Sequence, residues 1–504
     1  MIGCSIDSEV KLLEVRQMRR IEIIWCMAGV AAVMLSGCSL KNARYQAPLA
    51  PALSDAKNWN TGLAAGEVPK PADDVALSHW WSVFGDPELT SLEERALKAN
   101  LDLRKAVAEI QQARANRDYY AANLFPSVTG SFSSTGTHIG SGVTGLTSGT
   151  SLGGSSLGGI APWSATNSAE IEASWEPDFF GGLHKNVASY EATTQAQQEN
   201  LRNVMITLTA DVAQDYIDVR SYQEQLKVTR QNLVEYRQTY EMTLAKRDSG
   251  LATDLDVQQA LETVESTDAT IPSLDSSLQQ SYNAISVLLA EKPGSVDAEL
   301  AEAKPIPVIP PEVAVGIPAD LIRRRPDIRQ AERTYAAQWN QVGVAKANLY
   351  PTFTLSGTFL FSATNLLNVF DAKNLESSIA GAVQQTLINR RALKAQVRLQ
   401  NAVLDQDEVA YESTVLGAIQ DVENALKSFS AEQERRKSLA GAADAAENAA
   451  EISRQLYAGG LKDFLTVLVS ERTELSAQNS VVQSDANVAT DLVQLYKVMG
   501  GGWR

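Results

Sequence analysis

Two stretches of the chain, residues 170–176 and 352–361, alternate largely between apolar and polar side chains. A period of two is typical of a β-strand with one apolar and one polar face. In the first stretch the polar face carries the carboxylates of Glu170, Glu172 and Glu176. Because carboxylates need water, this face is not the packed core of an ordinary sandwich.

An apolar outer face and a polar inner face are typical of transmembrane barrel strands around a water-filled lumen. A soluble antiparallel sheet with one solvated face gives the same alternation. The pattern alone leaves both interpretations open.

Apolar residues that recur at intervals of seven predict long helices. One series runs from Met205 to Tyr240, and a second runs from Val257 to Ile285. Heptad spacing is typical of helices that pack as coiled coils. The first helix, expected over about residues 190–248, would be roughly 90 Å long at about 1.5 Å per residue, too long for a compact domain. We expect a second helix pair over about residues 390–499.

The chain contains an internal duplication. Four residues recur 225 positions later: Asp102, Ala106, Asn123 and Pro126 correspond to Asp327, Ala331, Asn348 and Pro351. A constant offset indicates a repeated structural unit. In both copies a helical pattern ends at the proline, which cannot continue a helix, and a strand pattern follows.

The N-terminus has the pattern of an export signal. After Met18, two arginines precede an apolar run that is too short for a membrane span and ends in Leu-Ser-Gly-Cys. Met18 is therefore a second candidate for the start of translation. The ending resembles a bacterial lipoprotein box, which implies a covalent lipid on Cys38, and Ser39 resembles the outer-membrane sorting choice. An ordinary buried cysteine is the alternative.

These patterns divide the chain into five segments. They are a signal peptide (1–37), a lipidated tether and equatorial segment (38–86), a first repeat (87–303), a Pro-rich connector (304–318) and a second repeat (319–504). Each repeat is expected to contain a helix, a β-hairpin and a long helical hairpin. The predicted fold class is mainly α with a small β part.

Composition gives no indication of catalysis. Cys4 and Cys26 lie in the removed segment, and the three histidines lie far apart without cysteines at metal spacing. No phosphate loop, nucleophile elbow or dinucleotide fingerprint occurs. We therefore expect no enzyme activity, no metal site and no cofactor beyond the lipid on Cys38. A formal net charge of −16 disfavours nucleic acid as a partner.

Four strands per chain cannot close a barrel. An open sheet edge in lipid leaves backbone groups unpaired, which costs about several kcal/mol for each group. We therefore expect an oligomer. Two copies would give eight strands and a lumen filled by side chains, whereas three would give about twelve strands and room for water.

The sequence resembles the TolC-like outer membrane factors, particularly their lipoprotein branch in drug-efflux systems. The matching segments are WWSVFGDP (80–87), SWEPDFFGG (174–182), DLIRRRPDI (320–328), GVAKANLYP (343–351) and GGGW (500–503). The resemblance implies a trimeric channel-tunnel with a twelve-stranded barrel in the outer membrane and an α-helical barrel in the periplasm. It also implies docking to a periplasmic adaptor protein and an inner-membrane pump.

One segment departs from the family pattern. Relatives place an aromatic-containing turn and a pair of glycines before the second long helix, whereas this chain has QQTLINRR at residues 384–391. The resemblance therefore predicts the path from strand to helix poorly at this point.

The turns between the long helices, residues 247–256 and 457–464, are predicted to lie at the far periplasmic end. By resemblance, the residues that contact the adaptor are Gly250, Leu251, Gly460 and Leu461. The two glycines are also expected to end helices in a left-handed conformation.

The resemblance further implies a periplasmic gate held by polar links between the two helical hairpins. The matching residues are Asp256, Tyr457 and Lys462, so we predict a charge-assisted link from Asp256 to the other two. The alternative is an exposed pair that contributes less than about 1 kcal/mol.

Relatives also carry carboxylates near the channel axis, at two positions that are Thr466 and Val469 here. Asp463 is then the remaining candidate for a ring of carboxylates. Its alternative role is a helix N-cap.

The first functional prediction is a passive outer-membrane exit duct of a tripartite, RND-type efflux system for drugs or other small molecules. Metal efflux and polypeptide secretion use the same architecture and stay open. A lipid-anchored coiled-coil protein with a structural or tethering role and no pore is the alternative from another class.

Overall fold

The computed structural model describes residues 45, 47–48, 68–70, 77–138, 163–307, 312–314 and 323–503. The predicted signal peptide and Cys38 lie outside the described residues. Helices α1–α9 span Pro87–Ala99, Leu101–Ala122, Gly182–Asp248, Asp254–Asp268, Thr270–Leu288, Asp297–Leu300, Pro326–Ala347, Arg390–Ala458 and Phe464–Val498. Strands β1–β6 span Val68–Lys70, Ser127–His138, Trp163–Trp175, Glu312–Ala314, Thr352–Ala363 and Leu375–Gln384. Of the helices described, none has the length and apolar character to cross a membrane.

The chain divides into two compact units. The strand unit contains Ala113–Thr194 and Tyr335–Asp407. The helical unit contains Pro48–Gln112, Gln195–Thr334 and Glu408–Arg504.

The strand unit is built around one antiparallel sheet in the order β2-β3-β5-β6. Its register aligns the faces of all four strands. In one row Ser131 pairs with Glu170, Glu170 with Leu360, and Leu360 with Glu376. Side chains alternate between faces, so Glu172, Thr358 and Ser378, each two positions from a member of this row, lie on the same face. The predicted hairpins are confirmed, and β2 runs from Ser127 to His138.

The opposite face of the sheet is apolar and exposed in the single chain. The exposed side chains on this face include Val128, Phe132, Ile171, Phe359 and Ile379. A contiguous exposed apolar surface marks contact with lipid or with another protein. The predicted arrangement of faces is therefore confirmed in the folded sheet.

The long helices are also confirmed, with α3 containing 67 residues and α8 containing 69. At about 1.5 Å per residue each is roughly 100 Å long. Two further helical stretches of the first repeat are interrupted. Asn100 separates α1 from α2 because its side-chain oxygen accepts hydrogen bonds from the N–H groups of Asp102 and Leu103. The break between α4 and α5 lies one turn before Pro272, which has no N–H to offer the carbonyl of Asp268.

The core of the helical unit explains two of the family motifs. Trp80 is fully buried, and its ring stacks on Tyr496 of α9 at a centroid distance of 5.5 Å. The backbone N–H of Gly502 donates to the carbonyl of Leu77, and Gly502 has a φ of +100°. The segments 80–87 and 500–503 thus pack into one apolar core.

The segment that departs from the family pattern turns without a glycine. Asn389 adopts a left-handed φ of 67°, which asparagine tolerates better than most residues. The side chains of Gln385 and Arg390 both donate hydrogen bonds to the carbonyl of Leu349. Asn389 therefore allows α8 to begin at Arg390.

We predict that Gly502→Ala destabilises the protein by about 1–3 kcal/mol, because positive φ and close contact both oppose a side chain there. A Cβ at Gly502 would lie 2.7 Å from the Oγ1 of Thr209. The measurement is the thermal unfolding of the detergent-solubilised protein. The control is Gly441→Ala in α8, where a Cβ meets open space; it should stabilise the helix by about 0.5–1 kcal/mol. Equal midpoints for the two variants would contradict this account.

Candidate functional site

The two turns that join the long helices have the same backbone geometry. The helix tips, defined here as residues 249–253 and 459–463, connect α3 to α4 and α8 to α9. Gly250 and Gly460 have φ values of 75° and 74°. Their N–H groups donate to the carbonyls three residues earlier, those of Arg247 and Tyr457. The predicted left-handed helix ends are therefore confirmed, and the tips are structural equivalents.

The leucine after each glycine has a hydrogen-bonded backbone N–H group and an exposed side chain. The N–H groups of Leu251 and Leu461 donate to the carbonyls of Lys246 and Leu456 at 2.8 Å. Their exposed fractions are 77% and 74%. The tips thus present two apolar side chains on rigid turns. Contact between these residues and an adaptor remains a prediction.

The predicted link from Asp256 does not form within one chain. Asp256 is the third residue of α4, and its carboxylate accepts hydrogen bonds from the N–H and the hydroxyl of Thr253. The Thr253 hydroxyl in turn accepts from the Asp256 N–H, which completes a capping box. The helix N-terminus therefore uses the side chain that was expected to reach Tyr457 and Lys462.

Tyr457 and Lys462 also differ from expectation. The Tyr457 hydroxyl donates to Thr243 of α3 at 3.2 Å, and Lys246 donates to the Tyr457 carbonyl at 2.7 Å. Lys462 is exposed. Thr243 and Lys246 of α3 therefore join the two hairpins at this level, both through Tyr457 of α8. A gate function for Asp256, Tyr457 and Lys462 remains a prediction.

Asp463 occupies the N-cap of α9. Its carboxylate accepts hydrogen bonds from the N–H and the hydroxyl of Thr466. These bonds, the one from the hydroxyl first, hold the pKa of Asp463 below its ordinary value. Val469 is exposed one turn further along. The N-cap alternative is confirmed, and a carboxylate ring at Asp463 remains a prediction.

A row of polar side chains that the sequence analysis missed joins α3 to the second helical hairpin. We call this row the polar seam; it consists of Asn232, Tyr236, Thr239, Thr243 and Lys246. Asn232 donates to Gln478 at 2.7 Å, Tyr236 donates to the Glu471 carbonyl at 2.8 Å, and Thr239 donates to the Glu471 carboxylate at 2.6 Å. The spacing of four, three, four and three residues is that of one helix face and was readable in the sequence.

An arginine lies among carboxylates beside the polar seam. Nη1 of Arg454 on α8 lies 2.6 Å from Glu235, 3.3 Å from Glu474 and 3.7 Å from Glu471. Glu471 and Glu474 on α9 are each only 2% exposed. Burial raises the pKa of Glu471 and of Glu474 to about 7. This cluster links both hairpins and carries more carboxylates than cations.

The site combines exposed leucines on glycine turns with a buried polar contact between two helical hairpins. Asp256 and Asp463 are engaged in helix caps, and Arg454 is engaged in an ion pair between helices.

A family comparison agrees with this architecture. The chain matches the model of the family described as outer membrane efflux protein over residues 92–291 and 317–501. The two matched ranges coincide with most of the two predicted repeats.

Individual relatives match over almost their whole length. Nodulation protein T of Rhizobium leguminosarum bv. trifolii is 32% identical over 90% of this chain and 96% of its own. The pyoverdine export outer membrane protein OpmQ of Pseudomonas aeruginosa is 30% identical over 94% of this chain and 96% of its own. Such coverage excludes a likeness confined to one segment.

The fold also matches solved structures. The outer-membrane channel OprN superposes with a TM-score of 0.79 at 30% identity, covering 92% of this chain and 99% of that one. The predicted TolC-like fold is thereby confirmed. The protein is an outer-membrane protein, and the chain belongs to the outer membrane efflux protein family.

Proposed function

We propose that three copies of this chain form one continuous exit duct in a tripartite efflux system. An inner-membrane pump supplies the energy and a periplasmic adaptor contacts the helix tips. The duct itself is passive, so it needs no catalytic residues and no nucleotide site. Small molecules are its cargo.

The observation that carries the proposal is the open four-stranded sheet. β2 and β6 are both edge strands, and the apolar face of the sheet is uncovered. In lipid an open edge leaves backbone N–H and C=O groups unpaired, so such a sheet must close. Three copies with four strands each would give a barrel of about twelve strands, which is wide enough for water.

The polar face supports a water-filled lumen. It carries Glu170, Glu172 and Glu376, and strands β2, β3, β5 and β6 contain no lysine or arginine. Carboxylates without counter-charges are stable where water solvates them. A tethering coiled-coil protein would need neither this acidic face nor an exposed apolar face behind it.

Our assignment of the cargo rests on the names of two similar proteins. OpmQ is named for export of pyoverdine, and OprN is named as an outer-membrane channel. OpmQ matches 94% of this chain and OprN matches 92%. Small-molecule export is therefore the function that we assign to the duct.

A lipid on Cys38 is the proposed second attachment to the outer membrane. The Leu-Ser-Gly-Cys sequence places a single cysteine after an export signal. The lipid and the barrel then attach the chain to the outer membrane together. We expect no cofactor other than this covalent lipid.

We predict that a lysine is excluded from one face of β5 and tolerated on the other. Phe359 and Thr358 are neighbours on opposite faces, and Phe359 is 56% exposed. Phe359→Lys should prevent insertion, because a lysine facing lipid near the midplane costs about 2–4 kcal/mol. Thr358→Lys should insert normally. The measurements are the yield of oligomer in outer-membrane fractions and ion conductance in planar bilayers.

The matched pair also tests the alternative. If both lysine variants fractionate and conduct alike, the two faces do not separate lipid from water. If neither the unchanged protein nor Asp256→Ala conducts ions, the duct is excluded and a tethering role without a pore is favoured.

Cys38 is predicted to be the only lipidated residue. Cys38→Ser should abolish incorporation of radiolabelled palmitate and leave the trimer in the outer membrane, because the barrel alone holds it there. The control is Ser39→Ala, which should label normally. Palmitate incorporation into Cys38→Ser would contradict the assignment.

A further inference from the structure

The loop that joins β5 to β6 lies at the end of the sheet opposite the long helices. α7 leads into β5 and α8 follows β6, so both helices meet the same end of the sheet. Residues 364–374 connect the two strands at the other end, and we call them the rim loop. Because the helices of this family extend into the periplasm, the rim loop lies on the outer side of the membrane.

The rim loop is held in one conformation by its own hydrogen bonds. The side-chain oxygen of Asn365 accepts from the N–H of Leu367 at 3.0 Å. The side-chain nitrogen of Asn374 donates to the carbonyl of Asn368 at 2.8 Å. The backbone N–H groups of Asn368 and Asn374 donate to the carbonyls three residues earlier. Several backbone polar groups of the loop are therefore paired without water.

This ordered loop presents large apolar side chains. Leu366, Leu367 and Phe370 are 56%, 90% and 72% exposed, whereas Val369 between them is fully buried. One exposed apolar side chain is ordinary on a protein surface. Three of them close together on a hydrogen-bonded loop form a patch that marks contact with lipid or with another protein.

The patch is continuous with the apolar face of the sheet. The ring of Phe370 packs against the ring of Phe361 of β5 at a centroid distance of 5.9 Å. Phe361 belongs to a row that crosses all four strands on the apolar face and consists of Phe132, Ala169, Phe361 and Leu375. The rim loop therefore folds toward the apolar face and away from the carboxylates of the other face.

The length of β5 places the patch near the border of the hydrocarbon. β5 contains 12 residues, and Phe361 lies two residues before its end at Ala363. At about 3.4 Å per residue and a tilt of about 40°, such a strand rises roughly 30 Å, whereas the lipid-facing band of a barrel is about 25 Å tall. The contact between Phe361 and Phe370 thus lies where acyl chains meet headgroups.

Two other occupants of the patch fit the structure less well. A second copy of the chain joins a barrel along the edges of β2 and β6, which leaves the face of the sheet uncovered. A charged surface has little to attract it, because Asp371 and Lys373 carry opposite charges and both are exposed. Apolar chains of lipid are the occupant that matches the side chains present.

We propose that the rim loop inserts Leu366, Leu367 and Phe370 into the outer leaflet of the membrane and anchors that end of the barrel there. The inference rests on the proposed function, in which the apolar face of the sheet contacts lipid. Leucine and phenylalanine at the boundary between acyl chains and headgroups hold protein segments in the plane of the membrane. The loop thus adds a contact with lipid beyond the strands.

Fluorescence quenching in phosphatidylcholine vesicles tests this placement. Leu367→Cys, Phe359→Cys and Ser362→Cys are each made with Cys38→Ser, so that the exported chain has one thiol to carry an environment-sensitive dye. Ser362 is the control because it lies next to Phe361 on the opposite face. The quenchers are a lipid with a nitroxide near its headgroup, a lipid with a nitroxide deep in its acyl chain, and iodide on both sides of the vesicle.

We expect the dye at Leu367 to be quenched about twofold or more strongly by the shallow nitroxide than by the deep one, because the loop lies at the boundary. The dye at Phe359 should respond to the deep nitroxide, and the dye at Ser362 should respond only to iodide. Adding Leu366→Ser and Phe370→Ser to Leu367→Cys should replace quenching by lipid with quenching by iodide. Adding Asp371→Asn instead should change neither.

The three positions separate failure of the rim loop from failure of the duct. If Phe359 responds to the deep nitroxide while Leu367 responds only to iodide, the loop lies in water and the inference is overturned. If Leu367 responds to none of the quenchers, another protein covers it, which also overturns the inference. Stronger quenching of Leu367 by the deep nitroxide, or unchanged quenching after the two serine substitutions, would contradict it as well. If neither Phe359 nor Leu367 responds to lipid, the proposed barrel fails together with the loop.

Discussion

The structure depends on one constraint, which is that backbone hydrogen-bonding groups must be paired wherever water is absent. A helix pairs these groups within itself, and a sheet pairs them only between strands. The sheet of this chain ends at β2 on one side and at β6 on the other. Its exposed apolar face suits lipid, so the edges have to be paired by neighbouring copies. Oligomerisation is thereby a requirement of folding in the membrane.

The helices of the helical unit lie in water and pair their own backbone groups, so other interactions must hold them together. Their contacts combine apolar clusters with buried polar groups such as Thr239, Arg454 and Glu471. Apolar contacts supply most of the stability, while the polar groups determine which relative position of the hairpins is favoured. The same chain thus joins its strands through backbone pairing and its helical hairpins through side-chain contacts.

The sequence was sufficient for the regular features. Strand alternation, heptads and the 225-residue offset each depend on local periodicity, and each corresponds to an observed element. The breaks at Asn100 and before Pro272 were missed because apolar spacing continues across them. Their cause lies in a side-chain cap and in a missing N–H, which periodicity does not register.

The site was predicted less completely. The glycine turns and the N-cap role of Asp463 follow from local rules, and both are observed. Within the single chain the Tyr457 hydroxyl donates to Thr243, a contact that the sequence did not indicate because it joins residues more than two hundred positions apart. The resemblance directed attention to Asp256, whose carboxylate is already used by its own helix.

Disulfide cross-linking between edge strands tests the central claim most directly. Cysteine at Ser131 of β2 would be combined in turn with cysteine at Glu376, Ser377 or Ser378 of β6. Ser131 and Glu170, which pair within one chain, provide the positive control. The account predicts that one combination gives covalent dimers and trimers and no larger species. The account would be contradicted if the control pair forms its disulfide but no combination links two copies. It would also be contradicted if cross-linked species larger than three copies appear.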